Sequence, residues 1–142
     1  MNKILIISCV GLKDSSKEKI KAEDRYISTY FNLMKKYAKQ NYNEWYILSA
    51  KYGLLKPFDL IDNYNISFYD KNSISKEDLI KTIPKHLFNQ EIDVLLGSIY
   101  LEKLNGILKI NNLFKEEPRT IGYKLQYLKQ LLKRKGKSLF NY

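Results

Sequence analysis

Residues 3–9 read KILIISC. Four branched apolar residues in a row, with no polar residue between them, form the pattern of a strand buried on both faces. A strand with one wet face would alternate. Burial on both faces implies helices above and below the sheet, and hence parallel strands. The rest of the chain supplies matching parts. Residues 44–49, EWYILS, and 92–98, IDVLLGS, are two more short apolar runs. Between the first two runs, Ala22, Tyr26, Tyr30, Leu33 and Tyr37 recur at spacings of three and four. They predict one helix from about Ala22 to Gln40. Ser75-Lys76-Glu77-Asp78 has the form of a capping box with Asp in place of Glu. It predicts a helix to about Asn89, shortened or kinked at Pro84. Residues 99–108, IYLEKLNGIL, read as a further helix, and Ile121, Leu125, Leu128 and Leu132 predict a closing one. The reading is therefore one α/β domain over residues 1–142, with a mainly parallel central sheet flanked by helices and a basic C-terminal helix at about 119–137. Residues 10–21 read as a polar loop, 50–57 as a second loop, and 58–70 as irregular or a short extended excursion.

Composition narrows the class. Hydrophobic residues make up 44% of the 142, enough for a packed core. The apolar runs are too short to span a bilayer. No apolar leader with a small-residue cleavage site is read at the N-terminus, so no signal peptide is expected. A single cysteine, Cys9, cannot form an internal disulfide and suits a reducing cytoplasm. One cysteine and one histidine cannot build a typical structural zinc site, so no metal is expected. Lysine and arginine total 25 against 15 acids, a formal charge of +10. That excess favours polyanionic partners. An AT-rich genome, which favours Lys, Asn, Ile and Tyr codons, would bias the chain the same way.

In an open parallel sheet, ligands gather beyond the C-terminal ends of the strands. Three segments fall there: residues 8–13, 49–55 and 97–100. The first holds Ser8, Cys9 and Lys13, with Lys13 suited to neutralising a phosphate. The second holds Ser49, Lys51, Tyr52 and Gly53. Gly53 permits a sharp turn, Lys51 supplies a cation, and Tyr52 offers a face for stacking. The third holds Gly97, Ser98 and Tyr100. There is no GxxxxGK[ST] or GxGxxG pattern, so no cofactor is expected from a fingerprint. Asp24 and Asp59 are the candidate general acid or base. Asp62 and Asp70 are further carboxylates. Cys9 as a nucleophile would need His86, the lone imidazole, as its base. Each of these residues also has a plain structural role available. Gly11 and Ser8 fit an ordinary loop, and Glu23 and Asp24 complement a helix dipole.

The C-terminal stretch carries Arg119, Lys124, Lys129, Lys133, Arg134 and Lys135, with Tyr123 and Tyr127 among them and no acid from 119 to 137. A basic helix with interleaved aromatics can track a phosphate backbone and stack bases. It can also be an amphipathic closing helix with a solvated face.

Residues 48–68, LSAKYGLLKPFDLIDNYNISF, resemble the central signature of the YaaA peroxide-stress family: a strand, a tyrosine-glycine turn, two apolar residues, a basic residue, a proline, then an aspartate-leucine-isoleucine run ending in a tyrosine. The matching positions are Tyr52, Gly53, Leu54, Leu55, Lys56, Pro57, Asp59, Leu60, Ile61 and Tyr64. Residues 94–104, VLLGSIYLEKL, resemble a second segment of that family. Ser8-Cys9 with Lys13, Ala22 with Tyr26, and the run from Trp45 to Leu54 resemble its short relatives. Cys9 is followed by Val10 where those relatives carry serine, and Asn65 stands where an acid often follows the tyrosine. The resemblance implies an α/β core and DNA binding. Through similar domains in enzymes that modify 7-deazaguanine bases, it also implies base processing. The expected function is thus a nucleic-acid-associated protein binding DNA or RNA through a basic surface and a strand-end cleft. The alternatives are an enzyme acting on a nucleotide or nucleobase at an N-glycosidic bond, and a non-catalytic interaction protein. The oligomeric state is left open.

Overall fold

A computed structural model describes residues 3–9, 11, 13–114 and 120–140, with 134–140 described by backbone alone. Its centre is β1 (Ile4–Ser8), every residue of which is buried. Strand β3 (Glu44–Ser49) lies parallel to β1 on one side, and β6 (Ile92–Leu95) lies parallel on the other. Two further strands complete a sheet of order β4-β3-β1-β6-β7. β4 (Gly53–Leu55) is antiparallel to β3, and β7 (Ile110–Asn112) is parallel to β6. Alternation along β1 divides the core. Leu5 and Ile7 face one layer, with α2 (Thr29–Asn41) and α5 (Ile121–Phe140). Ile4 and Ile6 face the other, with α3 (Lys76–Thr82) and α4 (Ser98–Leu104). A strand covered on both faces has no polar side to show, which explains its unbroken apolar run.

Three expectations are corrected. The helix predicted from Ala22 to Gln40 is two pieces. α1 (Ala22–Arg25) ends at Tyr26, whose backbone is extended (φ −96°, ψ 122°) and bridges to Lys13. Ser28 then starts α2, its Oγ accepting from the Phe31 N–H at 3.1 Å. The periodicity was blind to this break because Ala22, Tyr26 and Tyr30 are all buried on both sides of it. The segment 50–57 is more than a loop. It is a turn followed by β4, and α3 covers that edge strand: Thr82 Oγ1 accepts from the Leu54 N–H at 2.9 Å. Gly53 has φ +78°, and a Cβ there would stand 2.6 Å from Thr82 Oγ1, so only glycine fits. In α5 the apolar stripe starts late. Ile121 is exposed, while Leu125, Leu128, Leu131 and Leu132 pack against the core.

The capping reading holds, with a shorter helix. Ser75 Oγ accepts from the Asp78 N–H at 3.1 Å. α3 stops before Pro84, and a 3-10 turn takes Lys85–Asn89. The polar loop after β1 contains β2 (Ile20–Lys21), which pairs antiparallel with β5 (Leu60–Ile61). This small ribbon ties the loop after β1 to the segment after β4. Among the described residues, no helix is long and apolar enough to cross a membrane.

Candidate functional site

The connection leaving β1 goes to β3, and the one leaving β6 goes to β7, on opposite sides. β1 and β6 therefore flank the point where the winding reverses, the place where an open sheet leaves a crevice. A pocket of about 500 Å³ lies there. Its wall comes from all three strand ends: Cys9 and Lys13 after β1, Ala50 after β3, and Tyr100 in α4 after β6. The remaining wall is the segment after β5, with Tyr64, Asn65, Ile66, Ser67 and Asp70.

Behind Tyr64 in the wall runs a chain of buried hydroxyls. Ser49 Oγ accepts the turn N–H groups of Lys51 (3.2 Å) and Tyr52 (3.1 Å) and lies 2.9 Å from the Tyr64 hydroxyl. Tyr64 hydrogen-bonds in turn to the Tyr26 hydroxyl. The Tyr100 hydroxyl donates to the Cys9 carbonyl at 3.0 Å and lies 3.9 Å from Cys9 Sγ. Burial pushes the Tyr26, Tyr64 and Tyr100 phenols well above their ordinary value, and the neighbouring Cys9 adds to the effect. All three are neutral at physiological pH and serve as hydrogen-bonding groups, not anions. The charged groups of the wall are Lys13 and Asp70. Lys13 Nζ lies 5.0 Å and Lys51 Nζ 5.9 Å from the centroid of the Tyr64 ring. Lys51 also lies 5.1 Å from the Tyr52 ring.

Lys13 is held by a residue that sequence reasoning missed. Arg25 is fully buried. Its Nη1 donates to the carbonyls of Asp14 (2.8 Å) and Ser16 (3.0 Å), and its Nη2 to those of Glu18 (2.8 Å) and Ile61 (3.0 Å). Four carbonyls on one guanidinium bind the loop after β1 to β5, and Lys13 leads into that loop. Nothing in the run AEDRY distinguishes this arginine from a solvated one, so the signal is invisible without the fold.

The other expected residues fall as follows. Ser8 is buried, and its Oγ makes no well-formed hydrogen bond among the described residues, although it lies beside Tyr30. Tyr52 is half-buried beneath the mouth, edge-on to Tyr64 at 5.6 Å, its hydroxyl accepting from the Asp62 N–H at 3.2 Å. Gly97 precedes α4, and Ser98 opens it, exposed. Neither of the two lines the pocket. Asp24 is exposed on α1. Asp59 closes a turn, its Oδ2 accepting from the Lys56 N–H at 2.8 Å. Neither carboxylate is in the pocket wall, whose own carboxylate is Asp70. His86 pairs with Glu44 at 2.6 Å. Glu44 is in register with Ile4 at the start of β1, so the imidazole is at the end of the sheet opposite Cys9. Among the described residues, no three His, Cys, Asp or Glu side chains cluster as metal ligands.

On α5, Lys129 and Lys133 are exposed, whereas Lys124 is half-buried with its Nζ 5.3 Å from the Phe114 ring. Arg119 lies outside the described residues, as do the side chains of Arg134 and Lys135.

The fold and site define an α/β domain with a pocket of about 500 Å³ at its switch point and Lys13 in the pocket wall. The chain belongs to the family described as "Family of unknown function (DUF6884)", whose model matches residues 4–130. It is 31% identical over 124 residues to "Uncharacterized protein YfjM" of Bacillus subtilis (strain 168), covering 82% of this chain and 83% of that protein. No solved structure matches it. These findings correct the resemblance to the YaaA family. That likeness rested mainly on residues 48–68, with weaker likenesses elsewhere up to about residue 108, whereas the family match spans residues 4–130.

Proposed function

We propose that this protein binds a nucleotide, free or within DNA or RNA, in the pocket at the ends of β1, β3 and β6, in the cytoplasm. The observation that carries the reading is the Lys13 ammonium group in the pocket wall, 5.0 Å from the Tyr64 ring, a ring that Lys51 approaches at 5.9 Å from outside that wall. A cation in the wall favours an anionic group on the ligand, and a phosphate supplies it. The tyrosine-lined wall suits an aromatic base, and Asn65 and Ser67 offer hydrogen bonds to its edge or to a sugar. The test is calorimetric titration with nucleoside monophosphates, the matching nucleosides and inorganic phosphate at low salt. Monophosphates bind, nucleosides bind more weakly, and Lys13→Ala and Lys51→Ala each weaken the monophosphate by about tenfold. No monophosphate binding at low salt, or unchanged binding by the double variant, overturns the reading.

A second reading places duplex or single-stranded nucleic acid on α5, favoured by the exposed Lys129 and Lys133 opposite the buried Leu128. A third, cleavage or exchange at an N-glycosidic bond in the same pocket, is favoured by Asp70 in its wall.

A further inference from the structure

Residues 65–70 do two things at once. Asn65, Ile66, Ser67 and Asp70 line the pocket. Between them, Phe68 points inward, 5% exposed, with its ring edge-on to Tyr100 at 5.1 Å. Tyr69 points outward and is 81% exposed. A tyrosine left in water on a floppy loop would mean little, but this turn is pinned. Asp70 Oδ2 accepts from the Ser67 N–H at 2.8 Å, and the Ser67 carbonyl accepts from the Asp70 N–H at 3.0 Å. Ser67 Oγ accepts from the Tyr69 N–H at 3.3 Å. Lys103 Nζ lies 5.7 Å from the Phe68 ring, Lys71 follows Asp70 in the chain, and Lys13 is in the pocket wall. A solvated ring on a pinned turn, next in the chain to a residue of the pocket wall, has the makings of a base-stacking platform.

We infer that the ligand is a single-stranded polynucleotide, with one nucleotide in the pocket and the base of its neighbour stacked on Tyr69. This rests on the nucleotide reading of the pocket. A duplex keeps its bases stacked on one another and presents little but backbone to such a ring, so the platform selects unpaired strands. The experiment is an anisotropy titration of labelled mono-, di- and tetranucleotides, as DNA and as RNA, beside a duplex of the same sequence. The proteins are the parent, Tyr69→Ala and Tyr69→Trp, each with a thermal melt. In the parent, the dinucleotide binds about tenfold tighter than the mononucleotide. Tyr69→Ala abolishes that gain, leaves mononucleotide binding and the melt unchanged, and Tyr69→Trp restores the gain. The DNA and RNA arms report which sugar is preferred. If mononucleotides bind but dinucleotides bind no tighter, the inference fails while the pocket reading stands. Duplex binding tighter than single strand, or dinucleotide binding by Tyr69→Ala equal to the parent's, also overturns it. If no nucleotide of any length binds, both readings fail.

Discussion

Lys13 Nζ stands 5.0 Å from the centroid of the Tyr64 ring. The two residues reach each other from different parts of the chain, one from the loop after β1 and one from the segment after β5. Lys51 Nζ approaches the same ring at 5.9 Å. The negative face of the ring draws each ammonium group. Lys13 thereby places a positive charge in the pocket wall.

Tyr64 contributes a ring and a hydroxyl, and two substitutions separate them. Tyr64→Phe keeps the ring and removes the hydroxyl that joins Ser49 to Tyr26. It lowers stability by about 1–3 kcal/mol, the cost of leaving a buried polar partner unsatisfied, with phosphate affinity unchanged. Tyr64→Leu lowers both. Thermal unfolding and calorimetry on the two variants check this, and loss of binding in a well-folded Tyr64→Phe would refute the assignment.

Arg25→Met fits the volume but takes the donor from four carbonyls, that of Ile61 buried and those of Asp14, Ser16 and Glu18 partly so. The expected loss is about 3 kcal/mol or more, read from the urea midpoint. Arg25→Lys recovers only part of it, because an ammonium group lacks the two-nitrogen fork. A loss below about 1 kcal/mol would mean that water replaces the guanidinium readily.

Gly53→Ala and Gly106→Ala make a controlled pair. Both glycines have φ near +80°, but a Cβ at Gly106 meets nothing within 4 Å. Gly106→Ala therefore reports the backbone term alone, about 1–2 kcal/mol. Gly53→Ala adds the displacement of Thr82 from the Leu54 N–H, roughly 1–2 kcal/mol more. Equal losses in chemical denaturation would show that α3 yields to the methyl group freely.

Alkaline pH should unfold the protein through its buried phenols. The folded-state pKa values of Tyr26, Tyr64 and Tyr100 are raised, first by burial. The unfolded chain ionises near pH 10 and the folded one does not. Stability is therefore complete below about pH 10 and falls above it, by about 1.4 kcal/mol per pH unit for each such tyrosine. The part of the tyrosinate absorbance that comes from the buried tyrosines should rise together with the loss of circular dichroism above about pH 10. Buried-tyrosine ionisation well before the loss of helical signal would contradict this.

On α5, replacing Lys129 and Lys133 with alanine should flatten the slope of log affinity against log salt for oligonucleotides by up to about 2 units, if each meets a phosphate. Thermal stability should hardly move, since exposed charges contribute little. An unchanged slope removes α5 from the interface.

Local pattern alone determined the three central strands, their parallel arrangement and the helical character of the segments between them. Periodicity reports burial, and burial here repeats on the scale of a turn or a pleat. That is why KILIISC was legible. It is also why the helix break at Tyr26 was not, since the buried stripe runs straight through it. β7 escaped notice because its Ile110-Asn111-Asn112 is a half-buried edge, held partly by Asn111 Nδ2 donating to Asp93 Oδ1 at 3.1 Å. Of the site, Lys13, Cys9 and Tyr100 were anticipated. Its other wall, the hydroxyl chain that joins Ser49, Tyr64 and Tyr26, and the place of Arg25 were decided by tertiary structure alone. Tyr26 meets Tyr64 across 38 residues, and Arg25 meets Ile61 across 36. No local pattern encodes such contacts. They form only once the β2–β5 ribbon has brought two irregular segments together, and each polar group then finds the partner that burial obliges it to have.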